Sequence, residues 1–256
     1  MHFIRCFIPA VAITFLTVGL SSPAADNTSP PDGFVSLFNG KDLTGWKIPP
    51  GDNGHWKAVD GTIDCDAKSE AKVSDKSLWT EKSYKDFVLL VDWKLKLEPA
   101  YKNKNVPVIL PDGSHLKDAS GKEIKIEIDD VDSGIYLRGS GKSQVNIWMW
   151  PIGSGEVYGY RMDQKMPPEV RAGVTPKKRM DKPRGEWNSF EITMKGDRLS
   201  VKLNGEEVIS NAQLPGVDPQ GPIALQHHGS WNEKNKSWNG PPSLVQFKNI
   251  YVKELK

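Results

Sequence analysis

The sequence predicts an all-β protein, built as a two-sheet antiparallel jelly-roll sandwich. Short runs rich in β-branched and aromatic residues recur throughout, bounded by Gly, Pro, Asn and Asp. No long segment has the apolar spacing of an amphipathic helix, and no internal repeat or low-complexity linker divides the chain. Many antiparallel strands in one domain of this length favour a sandwich larger than an immunoglobulin domain.

The clearest hairpin joins the strands Arg198–Leu203 and Glu206–Ile209. Asn204-Gly205 lies between them, and this dipeptide supplies the two positive φ angles of a tight hairpin turn. The register that follows pairs Leu203 with Glu206, Lys202 with Glu207 and Val201 with Val208.

Three further segments define the predicted sheets. Phe87–Leu95 begins apolar on both faces, which is typical of a central strand and makes its Asp92 conspicuous. Val245–Leu255 changes its apolar phase near Lys248-Asn249, which predicts a β-bulge. Glu98–Glu123 is polar and interrupted by Pro and Gly, so we expect an excursion with a small hairpin that walls a site.

The N-terminus has the pattern of a secretory signal peptide. A charged start is followed by an apolar run and a small-residue cleavage site, so residues 1–24 are predicted to be removed. A polar, Pro-rich lead over 25–32 then precedes a single domain over 33–256. We therefore expect an exported protein, periplasmic or secreted, without a membrane anchor.

Composition limits the classes of ligand that the protein could bind and the disulfide bonds that it could form. The chain has 34 basic and 32 acidic residues, which disfavours nucleic acid and favours a small neutral ligand such as a carbohydrate. Cys65 alone remains after cleavage, so no internal disulfide forms and a buried thiol is expected. No cofactor motif is recognisable, although a structural or catalytic divalent cation stays open.

The segment Gly221–Gly229 carries the most chemistry in a short span. His227 and His228 follow Gln226 where an apolar strand ends. An imidazole titrates near pH 6.5, so one of the pair could transfer a proton at neutral pH while Gln226 orients a ligand. The alternative is a His pair that lies on the surface or supports the site indirectly.

An alternating strand predicts a binding face. Gln144, Asn146, Trp148 and Trp150 share one side, where amides can bind sugar hydroxyls and indoles can stack on sugar rings. The alternative is that the indoles belong to the core. Tyr158 lies in the following Gly-rich loop and is expected at the same ligand.

The strand that precedes this binding face in the sequence is flanked by acidic residues on one side and by an arginine on the other. Arg138 could stabilise a developing oxyanion, or it could form a structural ion pair. Glu127–Asp132 approaches the Glu-x-Asp-x-x-Glu signature of laminarinase-like glycosidases, which place two carboxylates astride the glycosidic bond, but Asp132 stands at the final position. The same carboxylates could instead hold a Ca²⁺ ion.

Short segments in a fixed order resemble the 3-keto-disaccharide hydrolase domain family over nearly the whole mature chain. The matching segments are Phe34–Trp46, Phe87–Leu95, Ser133–Arg138, Gly155–Gly159, Glu186–Asn188, Asn204-Gly205, Gly221–Gly229 and Val245–Ile250. The resemblance implies the concanavalin A-like lectin and glucanase sandwich. It also implies cleavage of glycosides that carry a ketone at sugar carbon 3.

The resemblance suggests roles for the candidate residues. A base removes the proton on carbon 2, and the enolate expels the group on carbon 1; we assign proton transfer to His228, enolate stabilisation to Arg138 and an orienting role to Asp92. The substrate-binding set is predicted to be Gln144, Asn146, Trp148, Trp150, Tyr158, Gln226 and His227.

This chain departs from many relatives in that family at two positions. Gln144 stands where they carry an acidic residue, and His227 stands where Asp or Asn is usual. Two other functions therefore stay open: a noncatalytic glycan-binding module of the same fold, and a laminarinase-like two-carboxylate glycosidase.

Overall fold

The computed structural model describes residues 29–256. The predicted signal peptide and the first half of the predicted lead lie outside the described residues. Two short helices, α1 (Tyr158–Arg161) and α2 (Pro168–Gly173), accompany seventeen strands in this part of the chain. The strands are β1 (Val35–Ser36), β2 (Trp46–Lys47), β3 (Trp56–Val59), β4 (Thr62–Asp66), β5 (Leu78–Tyr84), β6 (Phe87–Leu95), β7 (Tyr101–Pro107), β8 (Lys125–Asp130), β9 (Asp132–Leu137), β10 (Ser140–Trp148), β11 (Asn188–Lys195), β12 (Arg198–Leu203), β13 (Glu206–Gln213), β14 (Gly221–Leu225), β15 (Trp231–Asn232), β16 (Ser237–Trp238) and β17 (Leu244–Glu254).

Two antiparallel sheets form the sandwich. The eight-stranded sheet has the order β13-β12-β11-β6-β17-β4-β3, with β1 paired to β17, and the five-stranded sheet has the order β10-β9-β14-β5-β2. Alternate residues of both sheets, such as Leu89 and Phe247 on one and Ile135 and Ile147 on the other, belong to one buried apolar cluster. The predicted all-β jelly-roll sandwich is confirmed.

The strand β6 is central, as its sequence predicts. It pairs with β11 on one side and with β17 on the other. Phe87 and every second residue after it are buried, whereas Asp92 lies on the opposite, outer face of the eight-stranded sheet. There Asp92 accepts hydrogen bonds from Ser189 Oγ and, at 2.8 Å, from Asn249 Nδ2.

The β12–β13 hairpin forms at Asn204-Gly205, where both residues have positive φ (54° and 85°). The predicted pairs of Leu203 with Glu206 and of Lys202 with Glu207 are present, but Val201 pairs with Ile209 instead of Val208. A register shift between Val201 and Lys202 inserts the extra residue, and a bulge of this kind cannot be read from the turn alone.

The bulge predicted in β17 is confirmed: the register of β17 against β6 shifts between Lys248 and Tyr251, and Asn249 has φ 49°. The expected small hairpin within Glu98–Glu123 is part of a larger one, because β7 pairs with β8, which begins at Lys125, outside the predicted bounds. Isolated bridges between Ile109 and His115 and between Lys117 and Glu123 continue the pairing inside the excursion. Cys65 is fully buried, and burial raises the pKa of its thiol.

A second tight turn joins β9 to β10. Arg138 and Gly139 have φ of 51° and 77°, and Leu137 pairs directly with Ser140 across them. This is the geometry of a two-residue hairpin, in which an arginine at the first position is unusual because its Cβ disfavours positive φ. Neither helix in residues 29–256 is long and apolar enough to cross a membrane.

Candidate functional site

A cavity of about 350 Å³ opens on the outer face of the five-stranded sheet. Its walls come from β7, β8, β9, β10 and the residues just after it, the start of α1, the segment after β14 and the segment before β17. The lining residues are Asn103, Asp130, Asp132, Gln144, Asn146, Trp148, Trp150, Tyr158, Gln226, His228 and Pro241. Seven of the ten predicted site residues therefore meet at one cavity, although they come from three separate stretches of the sequence.

Strand alternation explains why β10 contributes three of them. Val145 and Ile147 are fully buried in the sandwich core, so Gln144, Asn146 and Trp148 point to the other face. The following loop then closes over β10: Gly155 N donates to Asn146 O at 2.8 Å, and Asn146 N donates to Glu156 O at 2.9 Å. The backbone of Asn146 is thus fixed beside the cavity.

Two indoles form one wall. The rings of Trp148 and Trp150 are stacked, with centroids 4.2 Å apart and an interplanar angle of 4°. Trp148 Nε1 donates to Gly153 O at 2.8 Å, and Tyr158 packs edge-on against Trp148 at 6.2 Å. Because Trp148 is 3% exposed while Trp150 is only partly buried, Trp150 is the ring that remains more open to a ligand.

Helix α1 supplies Tyr158 to the cavity, but the charged residues Glu156, in the loop before α1, and Arg161, at its end, do not reach it. Arg161 Nε donates to Glu156 Oε1, and both side chains are completely buried. This ion pair holds the loop behind the cavity, so neither residue is available to a ligand there.

The floor of the cavity consists of side-chain amides. Gln144 Nε2 donates to Gln226 Oε1 at 2.7 Å and lies 3.2 Å from Ser133 O. Gln144 also covers Gly134, where a Cβ would lie 2.4 Å from Gln144 Nε2. Within residues 29–256 the Asn146 amide makes no side-chain hydrogen bond, which leaves its donor and its acceptor for a bound molecule.

The orientation of His228 is fixed by its backbone neighbours. His228 Nδ1 donates to Pro241 O at 2.6 Å, because a carbonyl oxygen can only accept. The proton of the neutral ring is therefore on Nδ1, and Nε2 carries the free lone pair. This tautomer makes His228 a base at Nε2.

Ser243 ties the reactive segments together, and sequence reasoning missed it. The His228 backbone N–H donates to Ser243 Oγ at 2.7 Å, and that hydroxyl lies 2.8 Å from Asp132 O and 3.1 Å from Gln226 O. Ser243 is fully buried, so one hydroxyl sets the relative positions of the three backbone segments. A single serine after two prolines carries no sequence signal for such a role.

Two carboxylates complete the site. Burial raises the pKa of Asp132 to about 7; the charge of His228 lowers it, and those of Asp130 and Glu156 raise it further. Burial likewise raises the pKa of Asp130, against hydrogen bonds from Asn103 and Trp150 that lower it. One oxygen of each carboxylate, Oδ1, is buried without a hydrogen-bond partner among the described residues.

The sequence contained a signal for these carboxylates. Asp130 and Asp132 lie at the end of β8 and the start of β9, two positions apart, in the acidic segment compared above with the glycosidase signature. Glu127, however, is exposed on β8 and lies 3.8 Å from Lys104 Nζ, outside the cavity. The pairing of Glu127 with Asp132 on which a laminarinase-like site depends is therefore absent.

Three predicted residues do not reach the cavity. Arg138 is 2% exposed at the far end of β9, where its guanidinium binds the oxygens of Lys85, Gly196, Asp218 and Asp86. The structural alternative, an ion pair, is therefore present, and every hydrogen-bonding nitrogen of Arg138 is engaged away from the cavity, so the structure does not support oxyanion stabilisation by Arg138 there. Asp92 lies on the other sheet, so an orienting role for it at this cavity is not supported either.

The third is His227, which does not line the cavity although it adjoins His228. Consecutive residues of an extended chain point to opposite sides. Burial lowers the pKa of His227 to about 4, so the ring is neutral, and its Nε2 is buried without a hydrogen-bond partner among the described residues. Direct contact between His227 and a ligand in this cavity is not supported.

The sequence left open a divalent cation, which would need a cluster of ligating side chains. Across 29–256 no group of three or more His, Cys, Asp or Glu side chains is arranged to hold a metal. Asp130, Asp132 and His228 share the cavity without forming such a group.

Comparison with solved structures supports the architecture. Two crystal structures of candidate glycosyl hydrolases from Parabacteroides distasonis ATCC 8503 are similar to this chain. One has 21% identity and a TM-score of 0.52, covering 88% of this chain and 94% of its own. The other has 20% identity and a TM-score of 0.56, covering 88% and 85%. At such identities the likeness establishes the fold.

Comparison with curated proteins gave no match. A family model gave one, described as the 3-keto-alpha-glucoside-1,2-lyase-like domain, which matches residues 33–253. That span takes in both sheets and every residue that lines the cavity. The chain therefore belongs to the family of the 3-keto-alpha-glucoside-1,2-lyase-like domain.

Proposed function

We propose that this protein binds a glycoside oxidised at sugar carbon 3 and cleaves it by elimination. The observation that carries the proposal is the pairing of two unlike titratable groups in one cavity. His228 is held as a base at Nε2, and Asp132 is held with a pKa of about 7, so that it carries a proton much more often than an ordinary carboxyl group. One group can take a proton while the other gives one.

The proposed binding mode uses the aromatic wall and the amides. The apolar face of the keto-sugar stacks on Trp150, while Gln226 and Tyr158 contact its hydroxyls. The free amide of Asn146 donates to the oxygen on carbon 3. The cavity carries no guanidinium or ammonium group among its lining residues, which suits an uncharged sugar.

The first chemical step is proton abstraction from carbon 2. The ketone on carbon 3 acidifies that C–H bond. His228 Nε2 accepts the proton, and the electron pair of the broken C–H bond forms the enolate. The charge develops on the carbon 3 oxygen, where the Asn146 N–H stabilises it.

The second step is expulsion of the group on carbon 1. The carbon 3 carbonyl re-forms, a double bond forms between carbons 1 and 2, and the C1–O bond breaks. The protonated carboxyl of Asp132 gives its proton to the departing oxygen, and the proton held by His228 leaves to solvent. Addition of water across the new double bond then gives net hydrolysis, whereas release before hydration gives a lyase.

A matched pair of substrates tests the reaction. Methyl 3-keto-α-glucoside and methyl α-glucoside differ in the ketone alone, so elimination predicts turnover of the first and none of the second. In deuterated water, product from the keto-glucoside acquires deuterium at carbon 2 if water adds after elimination. Equal cleavage of both glucosides would instead show direct hydrolysis, and binding without turnover of any keto-glycoside would show a glycan-binding module.

We also propose that the protein is exported. The charged start, apolar run and small-residue site of residues 1–24 support removal of this segment. N-terminal sequencing of protein recovered from a Gram-negative expression host should begin near Ala25. Recovery of intact Met1 from the cytoplasmic fraction alone would contradict export.

A further inference from the structure

Beside the cavity, on the same outer face of the five-stranded sheet, lies a second aromatic surface, the shelf, formed by Trp79 and Tyr136. Direct cross-strand pairs place Gln144, Tyr136, Ala224 and Trp79 in one row across β10, β9, β14 and β5. Residues directly opposite each other share a face of the sheet. The shelf thus lies on the same face as Gln144, which lines the cavity.

Packing fixes the two rings of the shelf. Their centroids are 5.6 Å apart at 45°, and the fully buried Ala224 lies between their strands, so its small side chain lets the rings meet. Trp79 Nε1 donates to Asp75 Oδ2 at 2.7 Å. Both aromatic residues remain partly exposed, so a rigid apolar surface faces solvent.

The shelf is connected to the cavity through Gln226. Burial raises the pKa of Tyr136, while hydrogen bonds with Gln226 and Ser77 lower it. Gln226 also accepts from Gln144, and both amides line the cavity. A polar floor therefore runs without interruption from the reactive residues to the aromatic rings.

The spacing along β9 indicates what this surface accommodates. Asp132 begins β9 and Tyr136 lies four residues later on the same face, which is roughly 13 Å at the rise of a strand. That separation is about the length of two linked pyranose rings. Between them the Gln144 side chain lies over Gly134, and Gln144 Oε1 and Gln226 Nε2, which the bond between the two amides leaves over, can bind hydroxyls.

We infer that the Trp79–Tyr136 shelf binds the second sugar of a saccharide leaving group, so that the substrates are 3-keto-oligosaccharides. The keto-sugar lies at Trp150 and Asp132, the first leaving-group sugar lies over the amides, and the second stacks on the shelf. This assignment rests on the proposed function, because it names the group expelled in that reaction.

Three substrates that differ in leaving group test the shelf: methyl 3-keto-α-glucoside, a 3-keto-α-glucosyl disaccharide and the corresponding trisaccharide. We expect kcat/KM to rise from disaccharide to trisaccharide and Trp79→Ala to lower the trisaccharide value about tenfold, the size of one lost ring contact. The methyl glycoside value should stay within twofold, and Trp79→Phe should retain most of the gain.

Trp187→Ala is the matched control. Trp187 is also a partly buried indole, but the ammonium groups of Lys94 and Lys248 lie 4.7 and 4.5 Å from its ring centroid, and neither it nor these lysines line the cavity. We expect no change of substrate preference in this variant. Equal losses on all three substrates in Trp79→Ala, or no gain from disaccharide to trisaccharide in the unaltered protein, would overturn the shelf.

Titration with the unoxidised trisaccharide separates this inference from the proposed function. Weakened trisaccharide binding in Trp79→Ala would support the shelf even if no keto-glycoside were turned over. Turnover of keto-glycosides with identical trisaccharide affinity in both proteins would refute the shelf and leave the reaction intact.

Discussion

The two ends of strand β9 hold ionisable side chains in opposite conditions. At the end of the strand, Arg138 has every hydrogen-bonding nitrogen engaged, including 2.6 Å contacts to Lys85 O and Gly196 O. At its start, Asp132 has a buried oxygen with no partner among the described residues, in an open cavity. A satisfied buried charge stabilises a turn, whereas an unsatisfied one keeps its capacity for a ligand or a proton.

The same difference separates two adjacent histidines. His228 faces the cavity with its Nδ1 proton fixed and its Nε2 free, while His227 points away and is kept neutral by burial. Residue type alone therefore does not identify a reactive group here. Which face of the chain the residue occupies, and which partners it already has, decide its role.

The largest effect is expected for His228→Gln compared with His227→Gln. Loss of the base at Nε2 should lower kcat on methyl 3-keto-α-glucoside by about 10³-fold, while substrate binding changes little. His227→Gln should retain kcat within a few-fold, because that ring does not line the cavity. Steady-state kinetics and isothermal titration of both variants measure this; similar losses in both would remove the distinction between the two histidines.

Arg138→Ala tests the end of β9 at which the buried charge has all its hydrogen-bond partners. Removal of the guanidinium leaves Asp86 and three carbonyl oxygens without their donor, and alanine remains in the unfavourable positive φ region. We expect the free energy of unfolding to fall by about 3 kcal/mol, with kcat per folded molecule unchanged. Denaturant unfolding and activity normalised to folded protein measure the two quantities. A large loss of kcat in fully folded Arg138→Ala would return Arg138 to the reaction.

The pH dependence of turnover tests the proton on Asp132. In the proposed reaction the acid form of Asp132 donates to the leaving oxygen, so kcat/KM should decrease as the pH rises through about 7, the pKa to which burial raises Asp132. Asp132→Asn should lower the rate about 10²-fold and abolish this decrease. An unaltered alkaline limb in Asp132→Asn would assign the titration to another group.

The smallest expected effect is on the free energy of unfolding, which the buried carboxyl group of Asp132 lowers when it is ionised. Its pKa is raised from 3.8 to about 7, so the folded protein binds this proton more tightly than the unfolded chain does. Stability is therefore lost as the pH rises from about 4 to 7. Asp132→Asn should raise the free energy of unfolding by about 1 to 2 kcal/mol at pH 8, a value reduced for the partial exposure of the residue.

Most of that gain should disappear at pH 3.5, where the carboxyl group is protonated in the folded state and mostly protonated in the unfolded chain. Denaturant titrations at the two pH values measure it, and Asp92→Asn, the same substitution on the outer face of β6, provides a control outside the cavity. A gain in Asp132→Asn of equal size at both pH values would show that it does not come from ionisation.

Much of the fold could be predicted because its signals are local. Asn204-Gly205 specifies a turn through two positive φ angles, and the apolar pattern of Phe87–Leu95 specifies a central strand. The extra residue that shifts Val201 onto Ile209 could not be predicted, since a bulge depends on packing against a neighbouring strand. The tight turn at Arg138-Gly139 could not be predicted for a related reason. An arginine with positive φ is unfavourable on its own, and here contacts with segments distant in sequence stabilise it.

In the candidate site, too, some features follow from local sequence and others from tertiary contacts. Alternation along β10 alone determined that Gln144, Asn146 and Trp148 share a face, because successive side chains of a strand point to opposite sides. Tertiary structure alone decided that His228 rather than His227 meets Asp132, that Ser243 holds their backbones together, and that Arg138 lies at the other end of β9. These choices depend on contacts between segments that lie from 15 to 111 residues apart in the sequence, which no local pattern encodes.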